Sequence, residues 1–167
     1  LCLAAASALP AIAHPGVGIV QDSSGNVFYT DLDRVWRIAP DGTIAVHSTG
    51  PFRDVRWMTV TPEGIVYLVD RGRLLRIGND GSVATVVAAL SAKTPPPAKV
   101  VDPHYQAGLW TDLRGSVYVA VPEERLVLEV NPDGATRVAA RSPLMWAPYG
   151  GMLDKAGNLW LLETSVI

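Results

Sequence analysis

The fold is decided by a stretch that opens with Gly18-Ile19-Val20, turns at Ser24-Gly25-Asn26 and continues as Val27-Phe28-Tyr29-Thr30-Asp31, Arg34-Val35-Trp36-Arg37-Ile38 and Pro40-Asp41-Gly42. The same order of apolar run, glycine turn, aromatic and β-branched run, charged strand and Asp-Gly turn returns over residues 58–81 and 108–134. A fourth copy opens at Pro148 and reaches Glu163. Short runs of this composition between turn residues predict β-strands, and their recurrence predicts a repeat protein.

Each complete copy predicts four antiparallel strands in one small sheet. The two turn glycines of a copy, such as Gly25 and Gly42, are separated by two strands and a turn. One such sheet has two apolar faces that it cannot bury alone, whereas sheets arranged around an axis bury both. The sequence therefore predicts an all-β fold, a β-propeller of four-stranded antiparallel blades with three complete copies and part of a fourth.

The run from Gly18 to Asp31, with the strand after it and Pro40-Asp41-Gly42, resembles NHL repeats and the related blades of the SMP-30/gluconolactonase superfamily. The fourth copy is also similar to repeats of streptogramin-type lyases. The resemblance covers nearly all of residues 15–167. It implies a ring of six or seven blades, of which we expect this chain to be a fragment; a closed four-bladed ring is the alternative. It implies no single activity, because these propellers include lactonases, lyases and binding proteins.

Residues 1–13 differ from the repeats. They form an apolar, alanine-rich run that ends in Ala11-Ile12-Ala13, which is typical of the latter part of a secretory signal peptide cleaved near Ala13. The alternative is a buried first strand. We expect a mature chain over residues 14–167 that is soluble and extracytoplasmic, either periplasmic or secreted. It would lack Cys2, the single cysteine, and with it any disulfide or thiolate ligand.

Composition limits the partners. The 167 residues are 49% apolar and 18% charged, with a formal net charge of −2 and no basic cluster. We therefore expect no nucleic-acid partner. After residue 13 no stretch reaches the roughly 20 apolar residues of a membrane helix, so we expect no membrane span in the mature chain.

The predicted topology separates two ends of the ring. If each copy starts at the inner strand, the glycine turns lie at one end and the segments before each inner strand lie at the other, the top face. The top-face segments contain the polar and aromatic candidates His14, Arg53, Asp54, Arg56, Trp57, His104, Tyr105, Gln106, Trp146 and Tyr149. A channel mouth lined by such groups is the expected binding site of a propeller.

Two functions fit these residues. The first is recognition of a small molecule or peptide, with aromatic contacts from Trp57, Tyr105, Trp146 and Tyr149 and polar contacts from Arg53, Asp54, Arg56 and Gln106. The second is a metal-dependent hydrolase or lyase acting on a lactone or cyclic ester. In that alternative, His14, Asp54 and His104 hold a divalent metal ion, or His104 acts as the catalytic general base.

The resemblance to SMP-30-like lactonases implies metal ligands that this chain largely lacks. Those enzymes use a Glu before the first inner strand, an Asn in a middle blade and an Asp near a later Pro-x-Gly segment. Here the first segment reads His14-Pro15-Gly16-Val17-Gly18, and the later one has Tyr149. Because hard cations prefer oxygen ligands of the missing types, the binding function is favoured.

Three structural roles are also expected. Asp31, Asp70 and Glu163, each six residues after a turn glycine, should accept backbone N–H groups in the next turn. Trp36, Trp110 and Trp160 should pack between blades. His47 should be a half-exposed residue of an outer strand.

Overall fold

The computed structural model describes residues 18–53, 55–90 and 108–165. These residues form four antiparallel sheets, and within each sheet the strands pair in chain order. The first sheet contains β1 (Ile19–Gln21), β2 (Val27–Thr30), β3 (Val35–Ile38) and β4 (Ile44–Ser48). The second contains β5 (Val55–Val60), β6 (Val66–Asp70), β7 (Arg73–Ile77) and β8 (Val83–Val87).

The third sheet contains β9 (Leu109–Thr111), β10 (Val117–Val121), β11 (Leu126–Val130) and β12 (Thr136–Arg141), with a 3₁₀ turn at Pro122–Glu124 between β10 and β11. The fourth pairs β13 (Trp146–Leu153) with β14 (Leu159–Ser165). The predicted all-β class, the four-stranded repeats and the partial fourth copy are confirmed. The predicted signal segment lies outside the described residues.

In the first, third and fourth sheets, the turn between the first two strands is built by one aspartate and one glycine, whereas the second sheet has Thr61 in place of the aspartate. In the first sheet, Asp22 Oδ1 accepts the N–H groups of Ser24 and Asn26 at 2.9 and 2.8 Å. Gly25 has a φ of 84°, in the left-handed region that glycine adopts without steric cost. Asp112 and Asp154 accept turn N–H groups in the same way in the third and fourth sheets. This recurring Asp and Gly explains why the sequence returns to the same turn.

The sheets lie side by side around their first strands. β1 contacts β5, β5 contacts β9, and β9 contacts β13. One apolar cluster, which includes Phe28 and Leu68, fills the space between the first and second sheets. A second, which includes Tyr67 and Val119, fills the space between the second and third. The first strand of each sheet is thus the inner strand, as the meander topology predicts.

One aromatic position illustrates this packing. The third residue after the turn glycine is Phe28, Tyr67, Tyr118 or Trp160 in successive sheets. The first three are 3–4% exposed, and burial of such a ring contributes about 2–3 kcal/mol. Trp160 is 61% exposed, because no described residue packs over its face of the fourth sheet.

The other expected roles have mixed outcomes. Trp110 packs between sheets as predicted, since its Cζ2 atom lies 2.8 Å from where a Cβ on Gly151 would stand. Trp36 stacks on Tyr29 within its own sheet, with ring centroids 6.2 Å apart, and Trp160 is exposed. Both lie on the outer faces of the first and last described sheets, so for them the prediction stays untested. His47 is half-buried in β4, as expected.

Candidate binding site

Two ends of the sheets must be distinguished. The glycine-turn face carries the turns from the first to the second strand and from the third to the fourth. The top face carries the turns from the second to the third strand and the connections between sheets. Among the described residues, the glycines with positive φ lie at the glycine-turn face except Gly72, and the non-glycine residues with positive φ lie at the top face: Leu32, Arg71, Arg125 and Met145.

The left-handed backbone costs an L-residue with a Cβ atom roughly 1–2 kcal/mol. Such strain persists only where the surrounding structure imposes it, and it clusters at functional sites. Arg71 (φ 50°) shares a tight turn with Gly72. Arg125 (φ 52°) ends the 3₁₀ turn, and its N–H donates to the Pro122 carbonyl at 3.0 Å. The top face therefore carries backbone strain that the glycine-turn face avoids.

Arg56 is an extra residue in the inner strand β5. Val55 pairs with Asp70 and Trp57 pairs with Val69, so Arg56 has no partner position on β6. A β-bulge of this kind bends the strand and re-aims side chains near its top end.

Tyr149 is the corresponding residue in the fourth sheet. Pro148 pairs with Glu163 and Gly150 pairs with Leu162, which leaves Tyr149 as the extra residue of β13. Tyr149 and Arg56 both precede the turn glycine of their sheet by eight positions. Two residues predicted from sequence to bind ligand therefore occupy equivalent bulges of two inner strands.

Trp57 follows the first bulge and stands where the other copies have glycine: Gly18, Gly108 and Gly150. The inner strands approach closely here, since a Cβ on Gly108 would lie 2.2 Å from the Tyr149 carbonyl oxygen. The Trp57 indole is half-buried, and its Nε1 has no hydrogen-bond partner within the described segments. Because buried indole N–H groups normally find a partner, Trp57 retains an unused donor near the predicted channel.

Arg53 is held by a buried carboxylate. Asp70 is fully buried, and its Oδ1 accepts the Arg53 N–H at 3.1 Å. Its Oδ2 pairs with Arg73. Asp70 accepts a backbone N–H as predicted, but from the connection before β5 rather than from its own turn. The exposed Arg53 side chain is thus presented from a loop tied to the sheet.

Asp31, at the same repeat position as Asp70, shows the predicted local role. Its Oδ1 accepts the N–H groups of Asp33 and Arg34 at 3.2 and 2.8 Å, and its Oδ2 accepts Trp36 Nε1 at 2.9 Å. Burial opposes ionisation, but these hydrogen bonds outweigh it and lower the pKa of Asp31. Asp31 is therefore a turn-stabilising carboxylate.

Trp146 belongs to an exposed apolar segment. Leu144, Met145 and Trp146 are 75, 50 and 44% exposed, and Met145 has a φ of 74°. The Trp146 N–H donates to the Pro143 carbonyl at 3.1 Å, which closes a turn before β13. Sequence reasoning selected Trp146 but missed Leu144 and Met145. Two large apolar residues inside a predicted connection were the available signal.

Glu123 is an acidic residue of a top-face turn between the second and third strands of its sheet. It lies in the 3₁₀ turn Pro122–Glu124, which contacts β13. Burial, and then the neighbouring Glu124, raise the pKa of Glu123. Perturbed carboxyl groups of this kind are enriched at functional sites.

Several predicted site residues lie outside the described part of the chain: His14, Asp54, His104, Tyr105 and Gln106. Among the residues that are described, no group of three His, Cys, Asp or Glu side chains is placed to hold a metal ion. At Pro148–Gly150 the chain offers the Tyr149 phenol, which does not fit the carboxylate site that the lactonase resemblance implies. Of the predicted binding residues, the structure describes Trp57 in β5, Trp146 and Tyr149 in β13, and Arg53 in the connection before β5.

Comparison with known proteins supports the fold. No protein-family model matches the sequence, and no curated protein matches it. A streptogramin B lyase structure superposes with a TM-score of 0.68 at 17% identity, covering 92% of this chain and 49% of that chain. Virginiamycin B lyase from Staphylococcus aureus gives 0.64 at 16% identity, over 86% of this chain and 47% of that one.

Two further structures are similar. A chain of a nidogen/laminin complex superposes with a TM-score of 0.65 at 16% identity, covering 89% of this chain and 57% of that chain. A protein named a gluconolactonase gives 0.57 at 17% identity, covering 83 and 52%. The chain spans about half the length of these solved structures. At such identities the likeness establishes the fold alone, a β-propeller.

Proposed function

We propose that this chain belongs to an extracytoplasmic β-propeller that binds a small molecule or peptide on its top face. The observation that carries the proposal is the uneven distribution of backbone strain. Leu32, Arg71, Arg125 and Met145 hold left-handed conformations at the top face, where a fold selected only for stability would favour glycine.

The side chains at this face indicate the chemistry of the ligand. Trp146 and Tyr149 offer aromatic surface, and Leu144 and Met145 extend it. Aromatic side chains give a large contact area and often dominate binding energy. Arg53 adds a cation on a loop that Asp70 holds in place. We therefore expect a ligand with an apolar or aromatic body and an acidic group.

The similar structures are compatible with such a role. One holds a catalytically inactive virginiamycin B lyase with quinupristin, and another is a complex between nidogen and laminin. The same architecture thus serves a small ligand in one case and a protein in the other, so the site residues must decide between them.

The proposed location rests on the sequence. The apolar, alanine-rich residues 1–13, ending in Ala11-Ile12-Ala13, are the supporting feature. Expression with these residues in place, followed by N-terminal sequencing of the exported protein, tests it. A mature start near His14 is expected, and retention in the cytoplasm would contradict the proposal.

The binding test uses the protein with a panel of N-acetylated aromatic amino acids and dipeptides with free carboxylates, followed by isothermal titration calorimetry. Trp146→Ala and Tyr149→Ala should weaken binding at least about tenfold, since each removes an aromatic contact. Trp160→Ala is the matched control, because Trp160 is equally aromatic and more exposed but lies on a sheet face. Equal losses in the control and the top-face variants would refute the proposal.

The alternative enzymatic function is tested in the same preparation. Metal content is measured by mass spectrometry on protein purified without chelator, together with a His104→Ala variant. Stoichiometric metal that falls in the variant would replace the binding function by a metal-dependent one. Metal-free protein that still binds the panel is the result that the proposal predicts.

A further inference from the structure

A cavity lies between the first and second sheets at the glycine-turn face, away from the proposed binding surface. Its volume is about 310 Å³, at the lower limit of the roughly 300–1,000 Å³ of small-molecule sites. Phe28, Pro62 and Gly64 line it, and the polar lining residues are Asp22, Ser24, Asn26, Arg37, His47, Glu63 and Asn79. We call it the inter-sheet groove.

His47 lies at this groove because of a β-bulge. Val35 pairs with Ser48 and Trp36 pairs with Val46, so His47 is the extra residue of β4. Its ring stands edge-on to Phe28, with ring centroids 5.0 Å apart. Phe28 belongs to the cluster between the first two sheets, so His47 lies on the groove side of its strand.

The next pair of sheets has the same architecture but apolar residues at two of the equivalent positions. The bulge of β8 is occupied by Val86, where β4 has His47. Ile65 follows the turn glycine, where the first sheet has Asn26. Val86 and Ile65 both pack against the apolar cluster between the second and third sheets. The repeat therefore does not require polar residues at these positions.

The groove presents hydrogen-bonding groups that the protein does not use itself. Asp22 is committed to its own turn and to Asn26 Nδ2, which leaves the Asn26 carboxamide oxygen available. The exposed Arg37 side chain lines the groove beside it. His47 Nε2 is buried and lacks a hydrogen-bond partner among the described residues. A buried polar atom without a partner is rare and calls for an explanation.

These groups combine donors and acceptors instead of concentrating one charge. Burial, and then the nearby Arg37, lower the pKa of His47, which leaves the imidazole neutral and able both to donate and to accept. No trio of metal-ligating side chains is present within the described residues, so the groove is not a metal site. Hydroxyl groups, which also donate and accept, match such a lining.

We propose that the inter-sheet groove binds one hydroxyl-rich sugar ring, with Asn26, Arg37, His47 and Asn79 as its polar contacts. The size of the cavity limits the ligand to about one ring. With few atoms to contribute, such a ligand binds weakly, with a dissociation constant expected near about 1–10 mM. This site is independent of the proposed top-face function.

The test is an NMR titration of the protein with D-glucose, D-galactose and D-glucuronate, each raised to about 50 mM. The His47 imidazole signals, assigned with the His47→Val variant, report on the groove. At least one sugar should shift them saturably. The glucuronate arm shows whether a carboxylate at Arg37 adds affinity over the neutral sugars.

Two variants introduce into the groove the residues that the second sheet has at the equivalent positions. His47→Val copies Val86, and Asn26→Ile copies Ile65; each should weaken binding at least about tenfold, measured by backbone amide shifts around Gly25 and Gly64. Arg37→Ala changes an exposed side chain outside the core and tests the proposed contact between Arg37 and the sugar. Trp146→Ala, at the top face, should leave sugar binding unchanged. Absence of saturable shifts with all three sugars, or undiminished binding in the groove variants, would overturn the proposal.

Discussion

At the glycine-turn face the backbone turns through glycines, whereas at the top face Leu32, Arg71, Arg125 and Met145 adopt the same left-handed region with full side chains. At the glycine-turn face, the left-handed conformation is adopted by glycine, which has no Cβ atom to clash. The top face keeps strained residues, bulged inner strands and exposed aromatic groups. The difference supports the proposal that the top face binds ligand, whereas the turns at the opposite end use the residue with the least steric cost.

The largest expected effect is at the glycine-turn face. A Cβ on Gly81 would lie 2.2 Å from the His47 carbonyl oxygen, whereas a Cβ on Gly42, at the same turn position in the first sheet, would meet nothing within 4 Å. Both have positive φ. Gly81→Ala should lower the free energy of unfolding by about 4 kcal/mol and Gly42→Ala by about 1–2 kcal/mol, measured by urea denaturation. Equal losses would mean that contact between the sheets does not limit Gly81.

The second effect concerns Asp70 and Asp31, which lie at the top-face ends of the second strands of their sheets. Asp70→Ala removes a buried acceptor from Arg53 and Arg73, so unfolding free energy should fall by about 3 kcal/mol. Asp31→Ala, at the same repeat position but exposed to solvent, should cost less than about 1 kcal/mol. A larger loss of unfolding free energy for Asp31→Ala than for Asp70→Ala would show that hydrogen bonds within a turn stabilise the protein more than the hydrogen bond from Arg53 to Asp70.

The third effect has the opposite sign. Met145→Gly removes the left-handed strain, worth roughly 1–2 kcal/mol, at an entropic cost of about 0.5–1 kcal/mol, so it should stabilise the protein by up to about 1 kcal/mol. The neighbouring exposed Leu144 does not have positive φ, and Leu144→Gly should destabilise by about 0.5–1 kcal/mol. Thermal unfolding of both variants measures the difference. Destabilisation by Met145→Gly would show that its conformation is not strained.

The smallest expected effects are shifts in the pKa of two carboxyl groups, Asp154 and Glu123. Hydrogen bonds from the Asn158 side chain and then from the Trp160 indole lower the pKa of Asp154, at the glycine-turn face, from 3.8 to about 2. Its stabilising effect is therefore complete above its ordinary pKa and is lost as pH falls towards 2. Carboxyl ¹³C NMR should place Asp154 at the lower value, and Trp160→Phe should raise it.

Glu123 at the top face should titrate in the other direction. Burial raises its pKa, so the ionised form opposes folding at neutral pH and the cost disappears as pH falls through the raised value. Glu123→Gln should slightly stabilise the protein at neutral pH. Titration of Glu123 at or below an ordinary glutamate pKa would contradict the contrast between the two faces.

The fold could be predicted from the sequence because the interactions that determine it are local and repeated. The turn Asp and Gly residues act within four positions, and the aromatic at the third position after each glycine marks the same packing site. Asp31 was predicted for the same reason, since its partners Asp33, Arg34 and Trp36 are near in sequence.

The candidate site was harder to predict from the sequence because its features depend on residues that are distant in sequence. The extra residues Arg56, Tyr149 and His47 are defined by strand pairing, which a hydrophobic pattern does not reveal. One partner of Asp70 is Arg53, seventeen positions away in another segment. From the sequence, the turns at the glycine-turn face were expected to have a structural role only. The inter-sheet groove lies at that face because the first sheet has His47 and Asn26 where the second has Val86 and Ile65.

The most direct test of the division between faces is ¹⁹F NMR of protein labelled with 5-fluorotryptophan. The five tryptophans provide reporters at Trp57 and Trp146 on the top face and at Trp36, Trp110 and Trp160 on the sheets. On addition of the N-acetylated aromatic amino acids and dipeptides, the account predicts saturable shifts at Trp57 and Trp146 only. Saturable shifts confined to Trp36, Trp110 or Trp160, or none at all, would contradict it.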